Sequence, residues 1–228
     1  MLKEQAAVAA ADLVRSGMRL GLGTGSTAAL IVRELGRRLA KGRLREIAGL
    51  PTSEATARIA AEVGVPLLDF TPDLRLDLTL DGADEVDPQW DLIKGAGGSL
   101  LREKIVAQAS AVEAIVVDES KLVERLGSKM PLPLEVIPFG WMSHLEPLKS
   151  LGGQPVLRLR ADGSPFITDE GNFTLDVTFA DPAVWAEPRA LDTQLRRRAG
   201  VVETGLFLGL TSVLVVARSS GVETLHRR

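Results

Sequence analysis

The chain has 228 residues, room for one large domain or two smaller ones with a sizeable buried core. Hydrophobic residues make up 45% and charged residues 25%, an ordinary globular balance, and a formal net charge of -3 supplies no basic field for nucleic acid. The lack of cysteine excludes disulfides, thiolate nucleophiles and cysteine–metal sites, while two distant histidines (His144 and His226) and no tyrosine leave acid–base chemistry to Asp, Glu or Lys.

The predicted elements begin with an alanine-rich helix over about Lys3 to Ser16, with Gly17 placed as its C-cap. Lys3 and Glu4 do not make the basic start of a signal peptide, and no apolar run is long enough to cross a bilayer, so a cytoplasmic location is expected. A short strand, Arg19 to Gly23, leads through Thr24-Gly25-Ser26-Thr27 into a helix from Ala28 to about Ala40. Strands are then expected at Ile47–Leu50, Val65–Phe70 and Leu76–Leu80, with a helix from Glu54 to Val63 capped by Ser53. A helix from about Ser99 to Ala111 precedes a strand at Ala114–Val117. Short apolar strands alternating with helices predict an α/β fold, a Rossmann-like, mostly parallel sheet with helices on both faces.

The pattern changes after Gly127. Pro131-Leu132-Pro133 reads as a stiff connector, followed by a strand at Val136–Phe139 and a helix over about Met142–Leu151. Strands at Val156–Arg160 and Phe173–Phe179, a helix over about Val184–Arg198 and a strand at Val201–Leu208 complete the order strand, helix, strand, strand, helix, strand. That order predicts a smaller ferredoxin-like α+β domain. Ser212–Ala217 is expected to return to the first sheet, so residues 1–127 and 203–228 would form the α/β domain and 128–202 an insertion.

Three runs carry chemistry. Gly23-Thr24-Gly25-Ser26-Thr27, between strand and helix, offers backbone N–H groups, a helix N-terminus and hydroxyls to an anion; a tight capped turn accounts for it equally well. Asp81-Gly82-Ala83-Asp84-Glu85-Val86-Asp87 comes directly after an apolar strand, at the sheet edge where open α/β proteins bind ligands. Asp81 and Asp84 are the functional candidates there; Glu85 and Asp87 fit a self-capping turn. Lys94-Gly95-Ala96-Gly97-Gly98 is richer in glycine than a helix or strand favours, which suits backbone that hugs a ligand. Glu103 falls early in the next helix, where either a base or a dipole-favoured surface residue fits. Lys121, after Asp118-Glu119-Ser120, is a cation near a strand end that a plain surface lysine also explains. Arg102 and Lys104 read as scaffold or surface, as do the basic runs Arg37-Arg38 and Arg196-Arg197-Arg198.

Taken together, these runs resemble the ribose-5-phosphate isomerases of the A type over nearly the whole chain. The resemblance continues in Thr52-Ser53-Glu54-Ala55-Thr56, in Lys129 to Pro138, in Gly171-Asn172 and Asp176-Val177, and in Gly200-Val201-Val202-Glu203. Ala96 and Ser99 depart from the commoner Gly and Ala of the family run.

The resemblance implies an aldose–ketose isomerase that interconverts ribose 5-phosphate and ribulose 5-phosphate in the non-oxidative pentose phosphate pathway. It implies no metal and no organic cofactor, and a homo-oligomer, a homodimer or homotetramer. Thr24, Gly25, Ser26, Thr27, Asp81, Gly82, Ala83, Asp84, Lys94, Gly95, Ala96, Gly97 and Lys121 would line the sugar-phosphate site. Glu103 would be the proton acceptor between the two reacting carbons, with Asp81, Asp84 and Lys94 as its catalytic companions. Two other classes remain as alternatives: a coenzyme A transferase-like enzyme, in which a glutamate on a similar scaffold is the nucleophile, and a sugar-phosphate-binding sensor.

Overall fold

The computed structural model describes residues 2–227. In chain order it runs α1 (Leu2–Ala11), β1 (Arg19–Leu22), α2 (Ser26–Ala40), β2 (Ala48–Pro51), α3 (Glu54–Glu62) and β3 (Leu78–Asp81). Two very short strands, β4 (Glu85–Val86) and β5 (Leu92–Ile93), precede α4 (Leu100–Gln108) and β6 (Glu113–Asp118). Next come β7 (Leu132–Val136), α5 (Leu145–Ser150), β8 (Gly153–Leu157), β9 (Phe173–Phe179), α6 (Pro188–Arg196) and β10 (Val201–Thr204). β11 (Leu206–Phe207), β12 (Val213–Arg218) and β13 (Gly221–His226) close the chain. Among the described residues no helix is long and apolar enough to cross a membrane.

The described residues form two compact units. The first takes in the chain up to Ala83, Arg102–Leu122 and the stretch from Leu210 onward. Its six-stranded sheet has the order β13-β12-β6-β3-β1-β2, with every neighbouring pair parallel except β12–β13. Helices cover both faces, and strand alternation shows why. Leu20 and Leu22 of β1 point into a core shared with Ala6 and Ala10 of α1 and Ile31 and Leu35 of α2. Gly21, between them, faces the other way: a Cβ there would fall 1.9 Å from Thr79 Oγ1 and 2.6 Å from Val106 of α4. Only a glycine lets α4 approach the sheet this closely.

The second unit comprises Asp84–Leu101 and Val123–Gly209. Its four-stranded antiparallel sheet has the order β10-β7-β9-β8, the ferredoxin-like arrangement of a βαββαβ chain. Leu132, Leu134, Val136, Leu175 and Val177 fill its core with Leu148 of α5 and Leu191 and Leu195 of α6. The insertion expected from sequence at 128–202 lies wholly inside this larger unit. Residues 84–101 join it because β5 pairs with β4 and β11 in a separate three-stranded sheet and Ile93 enters the same core.

Several elements differ from the sequence reading for physical reasons. The first strand of the small sheet is Leu132–Val136, not Val136–Phe139, since Leu132, Leu134 and Val136 are buried and Phe139 is 89% exposed. Val65–Phe70 makes only an isolated bridge, Leu67 to Gly49, and Pro66 has no N–H to extend a ladder. Val201–Leu208 is broken into β10 and β11, which belong to different sheets. Gly205 is the break: its N–H donates to Pro133 O at 2.7 Å and its carbonyl accepts from Lys94 N at 2.9 Å.

Candidate active site

β1, β3 and β6 are adjacent and parallel, so the loops leaving these strands meet at one carboxyl edge of the sheet. Asp81 is the last residue of β3 and is fully buried. Its Oδ1 accepts from Thr24 N at 3.1 Å and from Gly82 N at 2.7 Å, tying the glycine–threonine loop after β1 to the Asp-Gly run after β3. Gly23 is required here, because a Cβ would lie 2.1 Å from the same carboxylate oxygen.

The hydroxyl of Thr24 turns toward the scaffold. It bonds Thr52 Oγ1 at 2.7 Å and Ser53 Oγ at 2.8 Å, while Thr56 Oγ1 donates to Gly23 O at 2.9 Å. Ser53 also caps α3 by accepting from Thr56 N. This hydroxyl cluster holds the loop's shape and leaves exposed Ser26, with half-buried Thr27, at the N-terminus of α2. Gly25, the residue before that helix, has φ 105°, which favours glycine.

Sequence reasoning missed Lys3. Its ammonium donates to Ser26 Oγ at 2.9 Å, across 23 positions of sequence. Nothing local in an alanine-rich helix marks such a lysine. At the end of β6, Asp118 caps the short helical turn Glu119–Lys121 through Ser120 N. Partial burial opposes ionisation of Asp118, but the hydrogen bonds from Ser120 and the charges of Lys121 and Lys3 outweigh it and hold the carboxyl below its usual range. Lys3 and Lys121 thus both act on the same carboxylate.

Glu103 lies in the first turn of α4 and is buried. It precedes Val106 by three residues, on the helix face that packs against Gly21 of the sheet. In a strand–helix–strand crossover the helix runs back along the sheet, so its first turn lies toward the strands' carboxyl ends. Arg102 pairs with Glu54 at 3.0 Å, a scaffold contact. Lys104, read from sequence as scaffold or surface, is buried.

The second unit holds the remaining candidates. Lys94 is buried, with its ammonium 5.3 Å from the centre of the Phe207 ring. Asp84 N donates to Ile93 O at 2.9 Å, and Asp84 Oδ2 accepts from Ala96 N at 2.9 Å, so Asp84 braces the glycine-rich loop. Gly95, with φ 112°, is buried, while Ala96 and Gly97 are exposed.

Glu85 is not part of an exposed turn. It is fully buried and accepts from the backbone N–H groups of Gly127, Lys129 and Met130. Asp87 is also buried and accepts from Gln89 N and Asp91 N, both at 2.9 Å, the self-capping turn read from sequence. Among the described residues no group of three or more His, Asp or Glu side chains is placed to hold a metal ion.

A family model described as ribose 5-phosphate isomerase A (phosphoriboisomerase A) matches residues 48–221. The chain belongs to the ribose 5-phosphate isomerase A family. A family relative named ribose-5-phosphate isomerase A from Chloroflexus aurantiacus is 52% identical, covering 97% of this chain and 91% of its own length. One from Roseiflexus castenholzii is 50% identical over 99% and 95%. Solved structures of ribose 5-phosphate isomerases superpose closely. The enzyme from Plasmodium falciparum gives a TM-score of 0.94 at 35% identity, covering 100% of this chain and 98% of that one. A D-ribose-5-phosphate isomerase in complex with phospho-erythronic acid gives 0.94 at 36% identity, covering 99% and 98%.

Proposed function

We propose that the chain interconverts ribose 5-phosphate and ribulose 5-phosphate by metal-free proton transfer through an enediolate. The observation that carries this reading is the pair of buried carboxylates, Asp81 and Glu103, at the carboxyl edge of the parallel strands of one sheet in a member of this family. The isomerisation moves one proton between adjacent carbons and exchanges a hydroxyl for a carbonyl, with no net oxidation.

Glu103 is the base. It takes the C2 proton of the open-chain aldose and returns it to C1. Asp81 assists ring opening and carries a proton between the two oxygens. Lys94 and the N–H groups of its glycine loop stabilise the developing oxyanion, and Asp84 braces that loop. Loss of one such donor typically costs about 3–4 kcal/mol of transition-state stabilisation. Ser26 and Thr27 at the start of α2, with Lys3 and Lys121, receive the phosphate, as a helix N-terminus and two ammonium groups favour an anion. Homodimeric or homotetrameric assembly and a cytoplasmic location belong to the same proposal, and sedimentation of the purified chain tests the assembly.

Glu103→Gln keeps size and polarity while removing basicity. It should lower kcat by at least about a hundred- to ten-thousand-fold with sugar-phosphate binding retained. Wild-type turnover would overturn the base assignment. Isomerisation in D2O should place solvent deuterium on the transferred carbon and should survive exhaustive chelation. Complete retention of the substrate hydrogen, together with metal dependence, would point to a hydride shift instead.

A further inference from the structure

The glycine-rich loop is held by a side chain far from it in sequence. Arg158 comes directly after β8, and its guanidinium forks onto Asp176 of β9, with Nε 2.9 Å from Asp176 Oδ2. The remaining terminal nitrogen, Nη1, donates to Gly95 O at 2.8 Å and Ala96 O at 3.1 Å. The Phe166 ring lies 5.7 Å from the guanidinium carbon and also abuts Gly98, where a Cβ would fall 2.4 Å from the ring.

Two consecutive peptide planes are fixed by these contacts. The Gly95–Ala96 peptide is held at both ends, its carbonyl by Arg158 and its N–H by Asp84. The Ala96–Gly97 peptide is held by its carbonyl. In a planar trans peptide the N–H points opposite to the C=O, so the N–H of exposed Gly97 is turned away from the guanidinium. A planar fork with fixed donors achieves this; a lysine's single ammonium does not.

We propose that Arg158, anchored by Asp176, is a positioning residue for catalysis: it sets the backbone donors of the Lys94–Gly98 loop before substrate arrives. This rests on the reading that the Lys94 loop stabilises the oxyanion. Preorganised donors act where charge develops, so their loss appears in kcat more than in KM.

The test is a double-variant cycle of Lys94→Ala with Arg158→Met, read as kcat and KM per folded molecule. Arg158→Met should lower kcat by about ten- to a hundredfold, as a misplaced catalytic group does, with KM changing by less. The double variant should be little worse than Lys94→Ala alone, because both changes disable one device. Wild-type kcat in Arg158→Met, or losses that simply multiply in the double variant, would overturn the positioning role. If Arg158→Met does not fold, Asp176→Asn, which keeps volume while weakening the anchor, replaces it in the cycle: a lowered kcat that does not multiply supports the role, and a parental kcat or multiplying losses overturn it. Unchanged kcat in Lys94→Ala would instead sink the oxyanion reading itself.

Discussion

Gly23, the residue that follows β1, lies so close to Asp81 at the end of the neighbouring β3 that a methyl group on the glycine would sit 2.1 Å from the aspartate's Oδ1. That oxygen also receives the N–H of Thr24. The aspartate therefore organises the loop, and the glycine leaves room for it to do so.

Gly23→Ala should accordingly displace the carboxylate and lower kcat by about a hundredfold, the scale of a small misplacement at a reacting centre. Gly82→Ala is the folding comparison, since its Cβ meets only Val116 O at 3.9 Å and it should keep the parental melting temperature. Steady-state kinetics and thermal unfolding read the two effects separately. A Gly23→Ala enzyme with parental kcat would show that Asp81 need not be held in this position.

Lys3→Met should raise KM with little change in kcat. A charge-assisted hydrogen bond is worth about 1.5–3 kcal/mol, so KM should rise roughly ten- to a hundredfold. The loss should shrink as salt rises, since the interaction it removes is an exposed one. An unchanged KM would remove Lys3 from phosphate binding.

Glu85→Ala should cost about 3 kcal/mol or more, because three backbone donors lose a buried acceptor at once. Urea unfolding of the two proteins measures it. A cost below about 1 kcal/mol would show that water replaces the carboxylate.

Glu34 gives a prediction for pH. Hydrogen bonding from Arg37, opposed by partial burial and joined by the Arg38 bond and both positive charges, brings its pKa from 4.5 down to about 2. A depressed carboxylate pKa stabilises the fold above the unfolded value, and that contribution fades as pH falls from about 4.5 toward about 2. Glu34→Gln should cost about 1 kcal/mol at neutral pH, the scale of a partly solvated ion-pair network. The difference from the parent should narrow below about pH 4 in urea titrations, and a constant difference would contradict the linkage.

The mostly parallel sheet and the edge that gathers the candidate site were legible because the cues are local. Asp81 ends a buried, mostly apolar strand, the glycine–threonine loop joins a strand to a helix, and Glu103 lies in the first turn of the next helix. The misreadings came from residues whose meaning depends on distant partners. Pro133 suggested a connector, yet it sits inside β7 opposite Asp176 of β9. Glu85 looked like the end of an acidic turn until the backbone of residues 127–130 closed over it. Lys3 and Arg158 carry no local signal, because the atoms that give them roles lie 23 and more than 60 positions away. Gly205 did carry one: a glycine inside an expected strand marks close backbone approach, and Lys94 O would be 2.4 Å from its Cβ.

The arrangement around Ala96 has a consequence for transplanting this loop. The glycine-rich segment does not own its conformation; Asp84, Arg158 and Asp176 impose it from three separate stretches of chain. Moving residues 94–98 alone onto another scaffold would transfer their flexibility and leave the conformation behind. The smallest portable unit is the loop together with its brace and its forked arginine.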